Sequence, residues 1–154
     1  MHMHFSFADL LHPVRTFDRG YGQHGPSMER IASVLGDLHR DGRHAIRILD
    51  LECGDGERLL RTAAVAREMR FVAIEGTGVD LSVGRIRHAR REAQIQAHLS
   101  TTLDFKVAEA MAALALEQDG AVDLVLMSDA PPYPASPLAI ALNRVCVGPV
   151  LGAF

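Results

Sequence analysis

The chain lacks the features that would assign it to several specialised classes of protein. It has two cysteines, Cys53 and Cys146, which form neither a disulfide framework nor a metal-ligand spacing, so we expect free thiols in a reducing cytoplasm. Its formal net charge of −3 provides no basic field for nucleic acid. No run reaches the roughly 18 apolar residues that cross a membrane, and the amino terminus, MHMHFSFADLLHPVR, lacks the regions of a signal peptide.

What remains is the composition of an ordinary globular protein. The 154 residues are 48% hydrophobic and 23% charged, which suits one domain with a sizeable core. We predict an N-terminal arm over residues 1–27 and an α/β core over residues 28–154. Neither repeats nor low-complexity segments interrupt this organisation, so the alternation of strands and helices carries the prediction of fold.

The core alternates strictly between strand and helix patterns. Strands are predicted over 46–51, 71–79, 101–107, 122–127 and 150–154, and helices over 28–39, 57–69, 82–99, 108–118 and 138–145. Such alternation predicts a parallel sheet with helices on both faces, in a doubly wound, Rossmann-like layout. Ligands in these sheets bind beyond the carboxyl ends of the strands, so the residues that follow each strand are the candidates for a site.

Those residues form ordered motifs. The first strand runs into Asp50-Leu51-Glu52-Cys53-Gly54-Asp55-Gly56, and the second into Gly78-Val79-Asp80-Leu81-Ser82. The third runs into Val107-Ala108-Glu109-Ala110, and Leu142-Asn143-Arg144-Val145 leads to Gly148-Pro149-Val150-Leu151. Over residues 28–154 this series resembles the class I S-adenosylmethionine-dependent methyltransferase family, whose motifs are D-x-G-x-G-x-G, G-V-D-x-S and R-V-L-x-P-G-G. Several motifs in order are more specific than any one alone.

The resemblance implies a mostly parallel five-stranded sheet, S-adenosylmethionine as the cofactor and methyl transfer as the activity. The family usually adds an antiparallel pair of strands after strand five, and this sequence has no counterpart of that pair. We therefore expect an open edge at strand five. Open edges are often covered or paired, so a homodimer through this edge is one expectation and a compact or degenerate family member is another.

The resemblance also assigns cofactor-binding residues. Asp80, followed by Leu81, would accept hydrogen bonds from the ribose hydroxyls, as acidic residues do in nucleotide-binding Rossmann domains. Glu109 would lie near the adenine amino group. The loop at the methionine end would comprise Asp50, Cys53, Gly54 and Gly56. The bland alternatives remain open, because glycines also serve plain turns and acidic residues are favoured at helix starts.

Glu52 occupies the first glycine position of the family motif. A side chain there would point at the methionine end of the cofactor or crowd it. If the backbone needs a positive φ at this position, a glutamate is costly. Its carboxylate would also attract the ammonium group of the cofactor, by about 4 kcal/mol at 4 Å in an intermediate dielectric before desolvation is subtracted. The sequence leaves adaptation and decay as alternatives.

The catalytic candidates, Asp129 and Tyr133, follow the fourth strand. The segment Asp129-Ala130-Pro131-Pro132-Tyr133 is similar to the N-P-P-Y motif of enzymes that methylate exocyclic or amide nitrogens. Ala130 stands where that motif has a side-chain acceptor, and Asp129 is one position early. The alternative is a turn stiffened by prolines with a packed tyrosine.

Two further patterns have weaker support. Residues 20–25 read GYGQHG, a literal GxGxxG without a preceding strand, and we interpret it as an N-terminal loop or lid rather than a dinucleotide site. The arginines between Gly84 and Arg91 are expected on a solvated helix face. The buried stripe of this helix is expected to contain Val83, Ile86, Ala89, Ala93 and Ala97. No aromatic residues interleave with the arginines as base stacking requires, so a nucleic-acid partner is not expected. No metal site is predicted.

Three functions follow from these patterns. The first is a methyltransferase in the cytoplasm, acting on a nucleophile that the sequence does not identify. The second is a non-catalytic binding or assembly protein of the same fold, favoured by Glu52, Ala130 and the missing strand pair. The third is a nucleotide-binding oxidoreductase, favoured by Asp80 and the stray GxGxxG. Fold alone does not decide among them.

Overall fold

The structure, a computed structural model, describes residues 25–153. Five strands alternate with five helices along this part of the chain. The helices are α1 (Met28–Arg40), α2 (Glu57–Glu68), α3 (Val83–Ile95), α4 (Ala110–Leu116) and α5 (Pro137–Val145). The strands are β1 (Ala45–Leu51), β2 (Ala73–Asp80), β3 (Thr101–Val107), β4 (Leu124–Met127) and β5 (Val150–Leu151).

The five strands form one parallel sheet in the order β3-β2-β1-β4-β5. β1 pairs with β2 on one side, where Asp50 faces Gly78, and with β4 on the other, where Asp50 faces Leu126. The chain winds outward from β1 to β3 and then returns to β4, so the order reverses between β1 and β4. This is the doubly wound arrangement with a topological switch point, and it confirms the predicted fold class.

Helices cover both faces of the sheet. On the first face, α1, α2 and α3 pack through fully buried Ile31, Leu59 and Ile86. On the second face, α4 and α5 pack through Leu114 and Leu142. β1 serves both clusters, because Ile46 and Ile48 point to the first face and Leu49 and Leu51 to the second. Burial on both faces explains why these strands are nearly continuous apolar runs.

The predicted helix starts at Ser27 and Ser82 are confirmed. Each serine hydroxyl accepts a hydrogen bond from the amide three residues later, Arg30 at 3.3 Å and Arg85 at 3.4 Å. The basic run on α3 also lies as predicted, with its arginines exposed and Ile86 and Ala89 buried. Arg90 donates to the carbonyl of Phe105 at 2.8 Å and thereby ties α3 to the edge strand β3.

Some predicted boundaries and buried positions were wrong. α3 ends at Ile95 rather than near residue 99, and Val83 is 57% exposed because it lies at the first turn, before the helix meets the sheet. Ala97 is exposed beyond the helix end. β4 begins at Leu124 rather than 122, and before it the Asp123 carboxylate accepts a hydrogen bond from the Arg47 amide at 2.8 Å.

The N-terminal arm falls mostly outside the described residues, as does the GxGxxG loop apart from Gly25. In residues 25–153, no helix has the length and apolar character that a membrane span requires. Both cysteines are free thiols, as predicted.

Candidate functional site

The turn between β1 and α2 contains three alternating left-handed residues. The φ angles are 57° at Glu52, 61° at Gly54 and 84° at Gly56. Glycine adopts this conformation freely, whereas a residue with a Cβ bears a cost of about 1 kcal/mol or more. Glu52 therefore occupies a left-handed backbone conformation that favours glycine, as its place in the sequence motif suggested.

Gly54 and Gly56 lack a side chain for different reasons. A Cβ on Gly54 would meet no atom within 4 Å, so this glycine leaves open space above the turn. A Cβ on Gly56 would come within 2.8 Å of Ala89 and Phe105, so this glycine permits α2 to pack closely on α3 and β3. Gly54 fits the predicted approach of a ligand to the backbone, whereas Gly56 serves packing inside the fold.

Asp80, at the end of β2, connects two turns through its carboxylate. Its Oδ2 accepts a hydrogen bond from the Gly54 amide at 3.0 Å, and its Oδ1 accepts one from the Ser82 amide at 2.8 Å. The side chain is half-buried. A carboxylate has about four acceptor positions, so two remain for other donors. The Asp80 carboxylate thus makes the helix-start contact that a purely structural role would require, and it retains acceptor positions for a ligand.

A cleft of about 230 Å³ lies at this edge of the sheet. It brings together Glu52, Asp80, Leu81 and Glu109, which the sequence placed after three different strands. Their carboxylates make the cleft acidic, and no basic side chain from residues 25–153 lines it. The remaining lining residues, none of which was predicted to belong to the site, are Ala108, Ala110, Met111 and Leu138.

The cleft combines carboxylate acceptors with apolar surface. Asp80 has spare acceptor positions, and Leu81, Met111 and Leu138 supply the apolar surface. Met111 lies in the first turn of α4, and Leu138 lies in the first turn of α5. From sequence alone, apolar residues at these positions are expected to be part of the core. Only the fold brings them to the same opening.

Asp50 lies beneath the turn rather than in the cleft. Its side chain is 0% exposed and forms an ion pair with Arg58, whose Nε lies 3.0 Å from Oδ1. The other carboxylate oxygen, Oδ2, is buried and has no hydrogen-bond partner among residues 25–153. Burial raises the pKa of Asp50 to about 6, although the neighbouring guanidinium of Arg58 opposes this shift. Asp50 therefore supports the turn from inside the fold.

Arg58 and Ser128 extend this support to the backbone of the turn. Arg58 Nη2 donates to the carbonyl of Leu51 at 3.2 Å, and Ser128 Oγ donates to the carbonyl of Glu52 at 3.0 Å. Arg58 Nη1 also donates to Ser128 Oγ at 3.4 Å. The sequence analysis missed both residues, because an arginine on a helix and a serine after an unrelated strand carry no motif that joins them.

Cys53 is buried within the turn. Its amide donates to the carbonyl of Val79 at 2.9 Å, and its sulfur lies 3.7 Å from the carbonyl oxygen of Gly54. Burial raises the pKa of the Cys53 thiol far above its usual range. The side chain is thus a protonated, packed thiol, and it does not line the cleft.

Asp129 and Tyr133, the predicted catalytic residues, lie apart from the cleft lining. The Asp129 side chain is exposed, and its carbonyl accepts a hydrogen bond from the Ala153 amide at 3.1 Å. Tyr133 is 86% exposed, so the alternative of a packed tyrosine is wrong. Prolines flank Tyr133 on both sides in the sequence. The catalytic role of Asp129 and Tyr133 stays a prediction.

Within residues 25–153, no group of three or more metal-ligating side chains comes together. Asp50, Cys53 and Asp80 share one small region, but Asp50 is engaged by Arg58 and Cys53 is protonated. The carboxylates of the acidic cleft are thus not joined by further metal-ligating side chains from residues 25–153.

No protein-family model matches the chain, and neither does any curated protein. Among solved structures, the chain is similar to WbdD, with 20% identity and a TM-score of 0.51 over 64% of this chain and 21% of WbdD. It spans about a fifth of that protein's length.

Two other similar structures are named as methyltransferases. One is a SAM dependent methyltransferase from Archaeoglobus fulgidus, with 20% identity and a TM-score of 0.49 over 75% of this chain and 48% of that one. The other is magnesium protoporphyrin IX methyltransferase (ChlM) from Synechocystis PCC 6803 with bound SAM, with 20% identity and a TM-score of 0.43 over 63% and 41%.

Of these three likenesses, the one to WbdD has a TM-score above 0.5, and at 20% identity it establishes a common fold alone. The strand order β3-β2-β1-β4-β5, the all-parallel sheet and the glycine turn after β1 agree with the motifs in the sequence. The chain has a doubly wound, Rossmann-like α/β fold, which it shares with WbdD.

Proposed function

We propose that this chain binds S-adenosylmethionine in the acidic cleft and transfers the methyl group to a nucleophilic substrate. The observation that carries the proposal is the placement of Asp80, whose carboxylate is oriented by the amides of Gly54 and Ser82 and lines the cleft. Its two remaining acceptor positions match the two hydroxyl groups of a ribose. A rigidly held carboxylate loses little conformational freedom on binding, which favours affinity.

The charge of the cleft supports a cationic cofactor. S-adenosylmethionine carries a sulfonium and an ammonium group, and Glu52, Asp80 and Glu109 surround the opening with carboxylates. A nicotinamide dinucleotide would instead bring an anionic pyrophosphate to the turn that contains Glu52. Two like charges 4 Å apart repel by about 4 kcal/mol at an intermediate dielectric. The oxidoreductase alternative is disfavoured for this reason.

Catalysis would depend on positioning. The cofactor supplies an electrophilic methyl group, and the protein must hold the nucleophile in line with it. We propose that Asp129 and Tyr133 orient this nucleophile, because both follow β4 at the edge of the sheet that carries the cleft and both are exposed to a substrate. The substrate class stays open, since neither residue is arranged around a defined pocket.

The non-catalytic alternative is supported by a separate observation. Asp129 and Tyr133 do not line the cleft, and Glu52 places a side chain in a left-handed position beside it. A protein that had exchanged catalysis for binding or assembly would tolerate both features. Cofactor binding therefore separates the two functions.

The proposal is tested by titrating the protein with S-adenosylhomocysteine in a calorimeter. We expect micromolar binding by the wild type and its loss in Asp80→Ala. Asp104→Ala is the matched control, because it removes an exposed carboxylate of β3 that pairs with Lys106. No binding by a folded wild type would contradict the proposal and favour the non-catalytic function. Tighter binding of NADH than of S-adenosylhomocysteine would favour the oxidoreductase.

We also propose that the edge of β5 pairs with a second copy of the chain. β5 hydrogen-bonds to β4, and within residues 25–153 no strand covers its other side. Parallel-sheet edges left open in this way are commonly paired or covered. Sedimentation equilibrium should return the mass of two chains, and a monomer mass at all concentrations would contradict the pairing.

A further inference from the structure

Glu52 is a left-handed residue whose two flanking peptide groups are both held by side chains from elsewhere. The preceding group is held through the Leu51 carbonyl, which accepts from Arg58 at 3.2 Å. The following group is held through the Glu52 carbonyl, which accepts from Ser128 at 3.0 Å. The angles φ and ψ of a residue are the rotations between its two peptide planes, so fixing both planes fixes the conformation of Glu52.

The following peptide group is anchored at both ends. Its carbonyl is held by Ser128, and its N–H, on Cys53, donates to the carbonyl of Val79 at 2.9 Å. A return of Glu52 to a right-handed or extended conformation would require this group to rotate and to break both bonds. The contacts thus oppose the relaxation that a glutamate otherwise prefers.

The two donors belong to one network that spans the switch point. Asp50 at the end of β1 pairs with Arg58 on α2, and Arg58 Nη1 lies 3.4 Å from the Ser128 hydroxyl that follows β4. Ser128 accepts from Arg58 and donates to Glu52, so its hydroxyl group acts both as acceptor and as donor. With glycine at position 52 the left-handed conformation would cost little, and the turn would keep it without these hydrogen bonds.

We propose that Arg58 and Ser128 are positioning residues that hold Glu52 in its left-handed conformation and so keep its carboxylate at the cleft. The effect on ligand affinity rests on the proposed function, whereas the effect on conformation does not. Neither residue lines the cleft, so both act through the backbone of the turn.

The conformational part is tested by urea unfolding of four proteins, namely the wild type, Ser128→Ala, Glu52→Gly and the double variant. We expect Ser128→Ala to lower the unfolding midpoint more in the Glu52→Gly background than in the wild type, because a wild-type turn that has lost the bond regains part of the free energy by leaving the left-handed conformation. Ser128→Thr keeps the hydroxyl and should restore most of the midpoint. The control Ser100→Ala, which removes a hydroxyl bonded to His98 at the opposite edge of the sheet, should have equal effects in both backgrounds. Equal effects of Ser128→Ala in both backgrounds would overturn the proposal.

The same proteins are titrated with S-adenosylhomocysteine. In the wild type, Ser128→Ala should weaken binding roughly fivefold, the scale of one hydrogen bond, and in the Glu52→Gly background it should change the affinity little. A fivefold loss in both backgrounds would overturn the role of Glu52. If the wild type does not bind, the proposed function fails, and the unfolding measurements alone decide whether Ser128 holds Glu52.

Discussion

The turn after β1 and the segment after β4 leave the same edge of the sheet, but their side chains are held differently. Beside the turn, the Asp80 carboxylate at the end of β2 accepts hydrogen bonds from the amides of Gly54 and Ser82. Within the turn, the carbonyl of Glu52 accepts a hydrogen bond from Ser128. After β4, the side chains of Asp129 and Tyr133 are exposed. The comparison indicates that the chain fixes the turn by its own contacts, whereas the side chains of Asp129 and Tyr133 extend into solvent.

The difference has a packing origin. The β1–α2 turn is central in the sheet, with β2 and β4 on either side of β1, so neighbouring strands and α2 surround it. The segment after β4 leads toward the short edge strand β5 and contains three prolines, which remove backbone donors. A central turn therefore acquires partners that a segment near an edge lacks.

The largest effect should come from the glycines of the turn. Gly56→Ala combines a positive φ with contacts of 2.8 Å to Ala89 and Phe105, and we expect a loss of about 3 kcal/mol in the free energy of unfolding. Gly54→Ala has a positive φ and open space, so it should lose about 1 kcal/mol. Urea unfolding measures both. Equal losses would contradict the distinction between Gly56, which is closely packed, and Gly54, which faces open space.

A second effect concerns pH. Burial raises the pKa of Asp50 to about 6 from an ordinary value of 3.8, so the folded protein binds more protons than the unfolded chain between these limits. The stability contributed by this group is full below about pH 4 and is lost as the pH rises to about 6, on the order of 3 kcal/mol.

Asp50→Asn removes the titrating group and should flatten the dependence of unfolding free energy on pH in this window. Asp37→Asn, which removes an exposed carboxylate from α1, should keep the wild-type slope. The comparison is made by urea unfolding at half-unit steps of pH. A wild-type slope in Asp50→Asn would show that another group causes it.

The smallest effect is expected after β4. Asp129→Ala and Tyr133→Phe remove exposed groups, so unfolding free energy should change by less than about 0.5 kcal/mol and affinity for S-adenosylhomocysteine should not change. Once an acceptor is identified, methyl transfer should fall while cofactor affinity holds. A loss of cofactor affinity in either variant would mean that the two regions are less separate than the structure indicates.

The fold was predictable because each strand carries an apolar run and each helix an amphipathic stripe, and these patterns are local. The four residues that meet in the cleft were also predictable, since the carboxyl ends of parallel strands converge at one edge. Tyr133 was not, because an aromatic ring among prolines reads as packed until its surroundings are known. The burial of Val83 failed similarly, since periodicity does not say where a helix first meets the sheet.

By itself, the sequence determined the alternation of strands and helices, the presence of a glutamate at the first glycine position of the turn motif, and the placement of acidic residues after β1, β2 and β3. These depend on backbone preference and on the order of residues along the chain. The tertiary structure alone decided that Gly54 faces open space while Gly56 is packed, and that Arg58 and Ser128 hold Glu52. Ser128 is 76 residues from Glu52 along the chain, and only the parallel pairing of β1 with β4 brings its hydroxyl to that carbonyl.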